Sequence, residues 1–244
     1  MKIVSLVPSL TEILFDFGLT SEEVVGRTKF CIHPKNKVQD VAIIGGTKNI
    51  NIEKIKSLNP DIILANKEEN VKEQVEELMQ THKVIVTHVE TLEDNYYLLK
   101  NLGNLFNKKE IAQHFNLKIQ EQFNFDKPKV KLKVAYLIWK DPYMSIGRDT
   151  FIHHILQDIG FENFFANQKR YPSFELTDLA EADVIFLSSE PYPFKEKHVE
   201  ELQKIYPNKI IKIVDGEAFS WYGTRIAHIG DYYQNLVSEI LKSK

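Results

Sequence analysis

Cysteine is almost missing from this 244-residue chain: Cys31 is the only one, so an internal disulfide is impossible and the redox compartment is left open. An excess of one charge is missing too. Against 34 Asp and Glu stand 31 Lys and Arg, and a net charge of −3 leaves no electrostatic footprint for nucleic acid or an anionic membrane. No apolar run approaches the roughly 18 residues that span a bilayer, which excludes membrane insertion. Enzyme signatures are absent as well. There is no phosphate-cradling glycine loop, since Gly45-Gly46 reads as a turn, no Gly-x-Ser-x-Gly elbow and no His-Glu-x-x-His helix. A secretory signal is not seen either: Met1-Lys2 runs straight into the strand-like Ile3 to Val7, with no apolar core of signal length and no small-residue cleavage site. The expectation is a cytoplasmic protein, or a periplasmic one if the true N-terminus is missing.

What is present reads as α/β. At 43% hydrophobic and 27% charged residues the composition is that of a globular protein, long enough for one large domain or two small ones. The stretch Asn107 to Phe125 stands out because no strand partners it. Ile111, Phe115, Ile119 and Phe123 fall four apart, which stacks them along one stripe of a helix. Asn107 followed by Glu110 reads as a capping-box-like start, and Pro128 as the stop. Short apolar strands alternate with amphipathic helices on either side. Ile3–Val7 leads into SLTE, a capping box opening a helix that runs to Phe17, and Tyr222 to Leu241 closes the chain as a helix.

The two flanks echo each other. NPDIILA at Asn59 to Ala65 is similar to EADVIFL at Glu181 to Leu187. Each is followed by an acidic loop, then by Val-Glu-Glu-Leu at Val75 and again at Val199, and then by an apolar strand. The helix from Thr11 ending in Phe-Gly-Leu likewise parallels the one from Thr150 ending in Ile-Gly-Phe. Four matches in one order predict two Rossmann-like lobes joined by a long backbone helix, with a cleft between them where a ligand would sit. The expected division is an N-terminal α/β lobe at 1–91, a helical connector at 92–127 with its backbone helix over about 108–125, and a C-terminal α/β lobe at 128–244.

Read in order, IVSLVPSLTE from Ile3 to Glu12, then Val24-Val25-Gly26, then NIEKI from Asn51 with NPDII from Asn59, the chain resembles a known family. It is that of the helical-backbone metal-chelate receptors, the class III substrate-binding proteins of importers for cobalamin, haem and iron–siderophore complexes. The nearest branch is that of the cobalamin-binding periplasmic proteins. The resemblance covers nearly the whole chain, and its motifs are specific for the fold rather than for the ligand. It implies a non-catalytic binding protein of an ABC importer with no covalent cofactor, whose ligand is a corrinoid or iron chelate.

The site residues follow from chemistry and resemblance together. Trp139, Tyr143, Tyr171, Trp221 and Tyr222 lie at strand ends or loops rather than on helical stripes, and flat faces with polar tips suit a large, flat, partly polar ligand. By resemblance Tyr143, Tyr171 and the Trp221 region match cleft-lining positions, and His33 matches an aromatic position that contacts the corrinoid. Thr47 and Asn66 stand where the cobalamin binders carry tryptophan. Lys29, Lys48, Lys67, Arg148 and Arg225 fall in or beside the same loops. A guanidinium there can grip carboxylate or phosphate in two-point fashion, whereas the lysines read equally as solvated turns. Cys31 and His33, two apart, make at most half of a catalytic or metal set; an inert buried thiol explains Cys31 better. No metal ligand set emerges. The resemblance also implies docking on a permease through one glutamate per lobe. Glu53 matches the first, but the second position is Thr177 with Asp178 beside it, which places the permease in question. The alternatives are a chelate carrier, sensor or interaction module in the cytosol, without a transporter, and behind these an enzyme using Cys31 and His33.

Overall fold

Five-residue apolar strands bounded by turns bury both faces, and that pattern belongs to parallel sheets covered by helices. The computed structural model, in which residues 1–243 are described, has this arrangement twice. In chain order the elements of the first half are β1 (Ile3–Ser5), α1 (Pro8–Asp16), β2 (Val24–Arg27), β3 (Ala42–Ile43), α2 (Ile52–Leu58), β4 (Ile62–Asn66), α3 (Lys72–Met79), β5 (Val84–Thr87), α4 (Leu92–Leu105) and α5 (Lys109–Gln122). The second half follows with β6 (Lys133–Leu137), α6 (Phe151–Asp158), β7 (Glu162–Asn163), β8 (Val184–Ser188), α7 (Glu196–Ile205), β9 (Ile210–Val214), α8 (Gly216–Ser220) and α9 (Tyr232–Lys242). One sheet has the order β3-β2-β1-β4-β5 and the other β7-β6-β8-β9, with every pairing parallel. No helix of the described residues is long and apolar enough to cross a membrane.

Two units result. The first comprises Met1–Val89, Glu93–Leu117 and Tyr222–Arg225; the second comprises Glu90–Leu92, Lys118–Trp221 and the chain from Ile226. Helix α5 thus begins in the first unit and ends in the second. Of its expected stripe, Phe115 and Ile119 are buried and Ile111 is half-buried, while Phe123 lies just past the end of the helix. Its start is not the one expected. Asn107 adopts a left-handed φ of 55°, and the amide of Lys108 donates to the Gly103 carbonyl at 2.7 Å. Asn107 therefore closes α4, and α5 begins two residues later.

The echoed motifs turn out to do one job. Asp61 accepts the backbone N–H of Lys2 at 2.7 Å, and Asp183 accepts that of Lys133 at 2.9 Å. Each aspartate fastens the start of the first strand of its sheet, β1 or β6, to the neighbouring strand. The second unit packs Ala135, Leu137, Ile185 and Leu187 of its central strands against Leu179 and Leu202. Two helix starts and ends correct the sequence reading. Pro8 opens α1 at its first turn, where a missing N–H costs nothing, and no side chain caps that helix. Ser9, the expected cap, lies inside the helix, and Glu12 of the expected box pairs with Arg225 instead. The C-terminal helix is also shorter than expected: a 3-10 turn over Gly223–His228 is followed by Gly230 at φ 58°, and only then does α9 begin.

Candidate functional site

Parallel α/β sheets bind ligands outside the carboxyl ends of their strands. In the first unit those ends carry the loops after β2, β3, β4 and β5. The buried Arg27 fixes the first of them, donating from Nε to the Val38 carbonyl at 2.7 Å and from Nη1 to that of Thr28 at 3.1 Å. Cys31 is sealed beneath it, with its sulfur 3.0 Å from the Thr11 hydroxyl and 3.2 Å from that of Thr28. Burial pushes its thiol up in pKa, which suppresses the thiolate a nucleophile needs. Lys29 and Phe30 face outward from the same loop, the ammonium 5.0 Å from the ring centroid. They line a groove of about 500 Å³ together with the turn 45–49. Gly45 makes that turn possible: its φ is +112°, and a Cβ there would lie 2.4 Å from the Asn49 carbonyl oxygen.

A pair of asparagines locks the neighbouring loop. Asn70 donates to the carbonyls of Leu6 (3.2 Å) and Thr47 (3.0 Å), and accepts from the Asn66 amide at 2.8 Å. Asn66 in turn caps the amides of Glu68 and Glu69 and donates to the Thr87 hydroxyl. Lys48 is held by the Glu68 carbonyl at 2.7 Å. His33 lies half-buried in the loop after β2, and Lys67 is exposed after β4.

Two of the expected ligand residues in this unit are committed to the interior. Arg225 makes a two-point ion pair with Glu12, at 3.0 Å from Nε and 2.8 Å from Nη2, with only 14% and 6% of the two side chains exposed. Tyr222 is buried; desolvation, with the Glu69 charge adding to it, pushes its hydroxyl well above the ordinary phenol pKa.

The second unit presents aromatics at its strand ends. After β6 the chain folds back on itself, with the amides of Ile138 and Met144 donating to the carbonyls of Met144 and Trp139. This exposes Trp139, 41% accessible, edge-on to Tyr192 at 5.7 Å. Tyr143 is half-buried against Phe174, and burial raises its pKa, with Lys140 opposing. Arg148 is exposed and donates to the Asn167 carbonyl at 3.1 Å. Tyr171 is exposed, with the Arg170 guanidinium 5.8 Å above its ring. Trp221, by contrast, is buried, and its indole donates to Glu190 at 3.0 Å.

Glu190, which also accepts from Ser220 at 2.8 Å, had no sequence signal. Burial raises its carboxyl pKa, with the Ser220 bond opposing. Phe30 and Tyr192 were likewise missed; an aromatic bracketed by Pro191 and Pro193 was the only available hint for the latter. Of the docking candidates, Glu53 opens α2 with its side chain 84% exposed and paired to Lys56 at 2.9 Å. Asp178 is exposed but accepts the Glu175 amide at 3.0 Å, beside exposed Thr177.

The family model for periplasmic binding proteins matches residues 3–207. The chain belongs to the periplasmic binding protein family. Proteins of this family bind solutes. An ABC transporter substrate-binding lipoprotein, YvrC, of Bacillus subtilis (strain 168) is 30% identical over 182 residues, covering 68% of this chain and 56% of that protein. The vitamin B12-binding protein of Salmonella typhimurium is 25% identical over 173 residues, 69% of this chain and 64% of that one. The chain thus spans under two thirds of the length of either. Among solved structures, the periplasmic vitamin B12 binding protein BtuF of Vibrio cholerae superposes with a TM-score of 0.80 at 18% identity, covering 99% of this chain and 97% of that one. The periplasmic heme-binding protein RhuT from Roseiflexus sp. RS-1 gives 0.80 at 18%, covering 99% and 98%. These likenesses establish the fold of the family.

The cytoplasmic expectation is corrected by the same findings. The relatives are a lipoprotein and periplasmic binding proteins, which overturns it. That expectation rested on where the sequence begins, which carries no information about a leader.

Proposed function

We propose that this chain is the substrate-binding component of an ABC importer and that its ligand is a metal chelate: an iron–siderophore, haem or a corrinoid. The observation that carries the reading is that each unit exposes aromatic and cationic side chains at its own strand carboxyl ends, Lys29 and Phe30 in the first and Trp139, Tyr171 and Arg148 in the second. Aromatic faces cover a flat macrocycle or catecholate, and the cations answer the anionic groups such ligands carry. Tyr143 and His33, in the loops after β6 and β2, complete the proposed contact set on the strength of the resemblance. Thr47 and Asn66, where the cobalamin branch has tryptophan, weigh toward ferric chelates over corrinoids. Asn66 is already engaged in its loop.

The partner proposed is an ABC permease engaged by acidic residues, Glu53 in one unit and Asp178 in the other. Calorimetric titration against cobalamin, cobinamide, haem and ferric siderophores tests the reading. At least one of them should bind in the micromolar range or tighter. Affinities no better than about millimolar, roughly −4 kcal/mol, across the panel would end it.

A further inference from the structure

His153 is a buried histidine outside the proposed contact set, on the first turn of α6. Its Nδ1 lies 3.2 Å from Asn163 Nδ2. The orientation of that asparagine is fixed independently: Nδ2 donates to the Ile146 carbonyl at 2.9 Å, and Oδ1 accepts the Phe165 amide at 3.1 Å. Turning the amide over would break both bonds. Asn163 Nδ2 therefore points an N–H at His153, and Nδ1 must be the unprotonated, accepting nitrogen. A second proton on the ring would set donor against donor in a buried place.

What this contact holds is the loop after β6. Asn163 anchors Ile146, and Thr150, which caps α6 by accepting the His153 amide, donates to the Gly147 carbonyl at 2.9 Å. Gly147 and Arg148 then bond through their amides to Arg170 and Gln168. We propose that the His153–Asn163 contact is an acid-sensitive positioning device for the loop bearing Tyr143 and Arg148, and that protonating His153 loosens this loop and weakens ligand capture. The ligand half of this statement rests on the function proposed above; the loop half does not.

The electrostatics agree in sign. Burial lowers the His153 pKa, and His154, edge-on at 4.9 Å on the same helix, lowers it further. Asp149 in the preceding loop opposes both, and β7 presents the neutral Asn163. A histidine whose folded pKa is depressed contributes stability that is fully present above its unfolded value of 6.5 and is lost as pH falls below it.

The test follows the amide resonances of Gly147 and Arg148 and the His153 ring signal in the wild-type protein, from about pH 7.5 down to about pH 4.5, so that a depressed midpoint falls inside the range. The loop amides should shift with the His153 midpoint. His153→Gln, which keeps an acceptor and cannot titrate, should abolish that response, while His154→Gln should keep it. Chelate affinity should fall across the same range, by about tenfold for each pKa unit separating the held and loosened loop. Loop amides that ignore the His153 titration, or an unchanged response in His153→Gln, would overturn the device. Should that variant not fold, the wild-type titration alone decides. If no chelate binds at either pH, the functional reading fails while the loop titration still stands or falls by itself.

Discussion

Arg225 allows a structural role to be separated from a ligand role. Its guanidinium grips Glu12 at two points, and both side chains are almost wholly withdrawn from solvent. Arg225→Ala would leave the Glu12 carboxylate buried without its cation. Breaking a buried pair on one side costs about 3–5 kcal/mol, whereas replacing both partners by apolar groups of like volume is near neutral. The single variant should therefore lose that much stability, Arg225→Lys part of it, and the double variant Glu12→Leu/Arg225→Met little. Fluorescence is the wrong probe, because Trp139 and Trp221 both belong to the second unit. Amide exchange in α1, which carries Glu12, reads the first unit directly. If Arg225→Ala leaves α1 exchange unchanged while chelate affinity collapses, Arg225 is a ligand residue and the structural reasoning is wrong.

Three further outcomes are expected. Asn70→Ala removes the side chain shared by Leu6, Thr47 and Asn66, at about 1–3 kcal/mol for each buried group left unsatisfied; circular-dichroism melting checks it, and an unchanged melt refutes the lock. Phe115→Pro, in the buried stripe of the proposed connector helix α5, should cost about 3 kcal/mol or more and weaken chelate binding, so unchanged melting and affinity would remove α5 from the account. Glu53→Ala with Asp178→Ala should cost no more than about 2 kcal/mol, because Asp178 accepts the Glu175 amide at the start of its 3-10 turn and losing such a cap costs about 0.5–2 kcal/mol. The same pair should reduce binding to the cognate permease in vesicles, and equal binding would show docking by other groups.

The fold was legible because both halves repeat the same demands. Apolar runs within Ile62 to Asn66 and Val184 to Ser188 fit strands buried on both faces, and the aspartate before each makes the same backbone contact in its own sheet. Helix ends were less legible. Asn107 carries the composition of a start and the φ of a stop, and only the bond from Lys108 to Gly103 distinguishes them. The strands β3 and β7 span two residues each, too short for any periodicity to register. In the site, exposure separated residues of identical chemistry. Trp139 and Trp221 look alike in sequence, yet one is open and the other donates inward to Glu190. Arg148 and Arg225 diverge in the same way, because the partner of Arg225 lies 213 positions away. Location was not legible, because where a sequence begins carries no information about a leader.

The central claim is that a metal chelate is held by the loops at the strand carboxyl ends. An amide-exchange footprint of the protein with each member of the chelate panel tests it most directly. The account predicts that at least one ferric chelate, haem or corrinoid slows exchange in the loop after β2, the turn 45–49, and the loops after β6 and β7. Slowing confined to other surfaces such as the α4–α5 face, or no change with any of them, would contradict it.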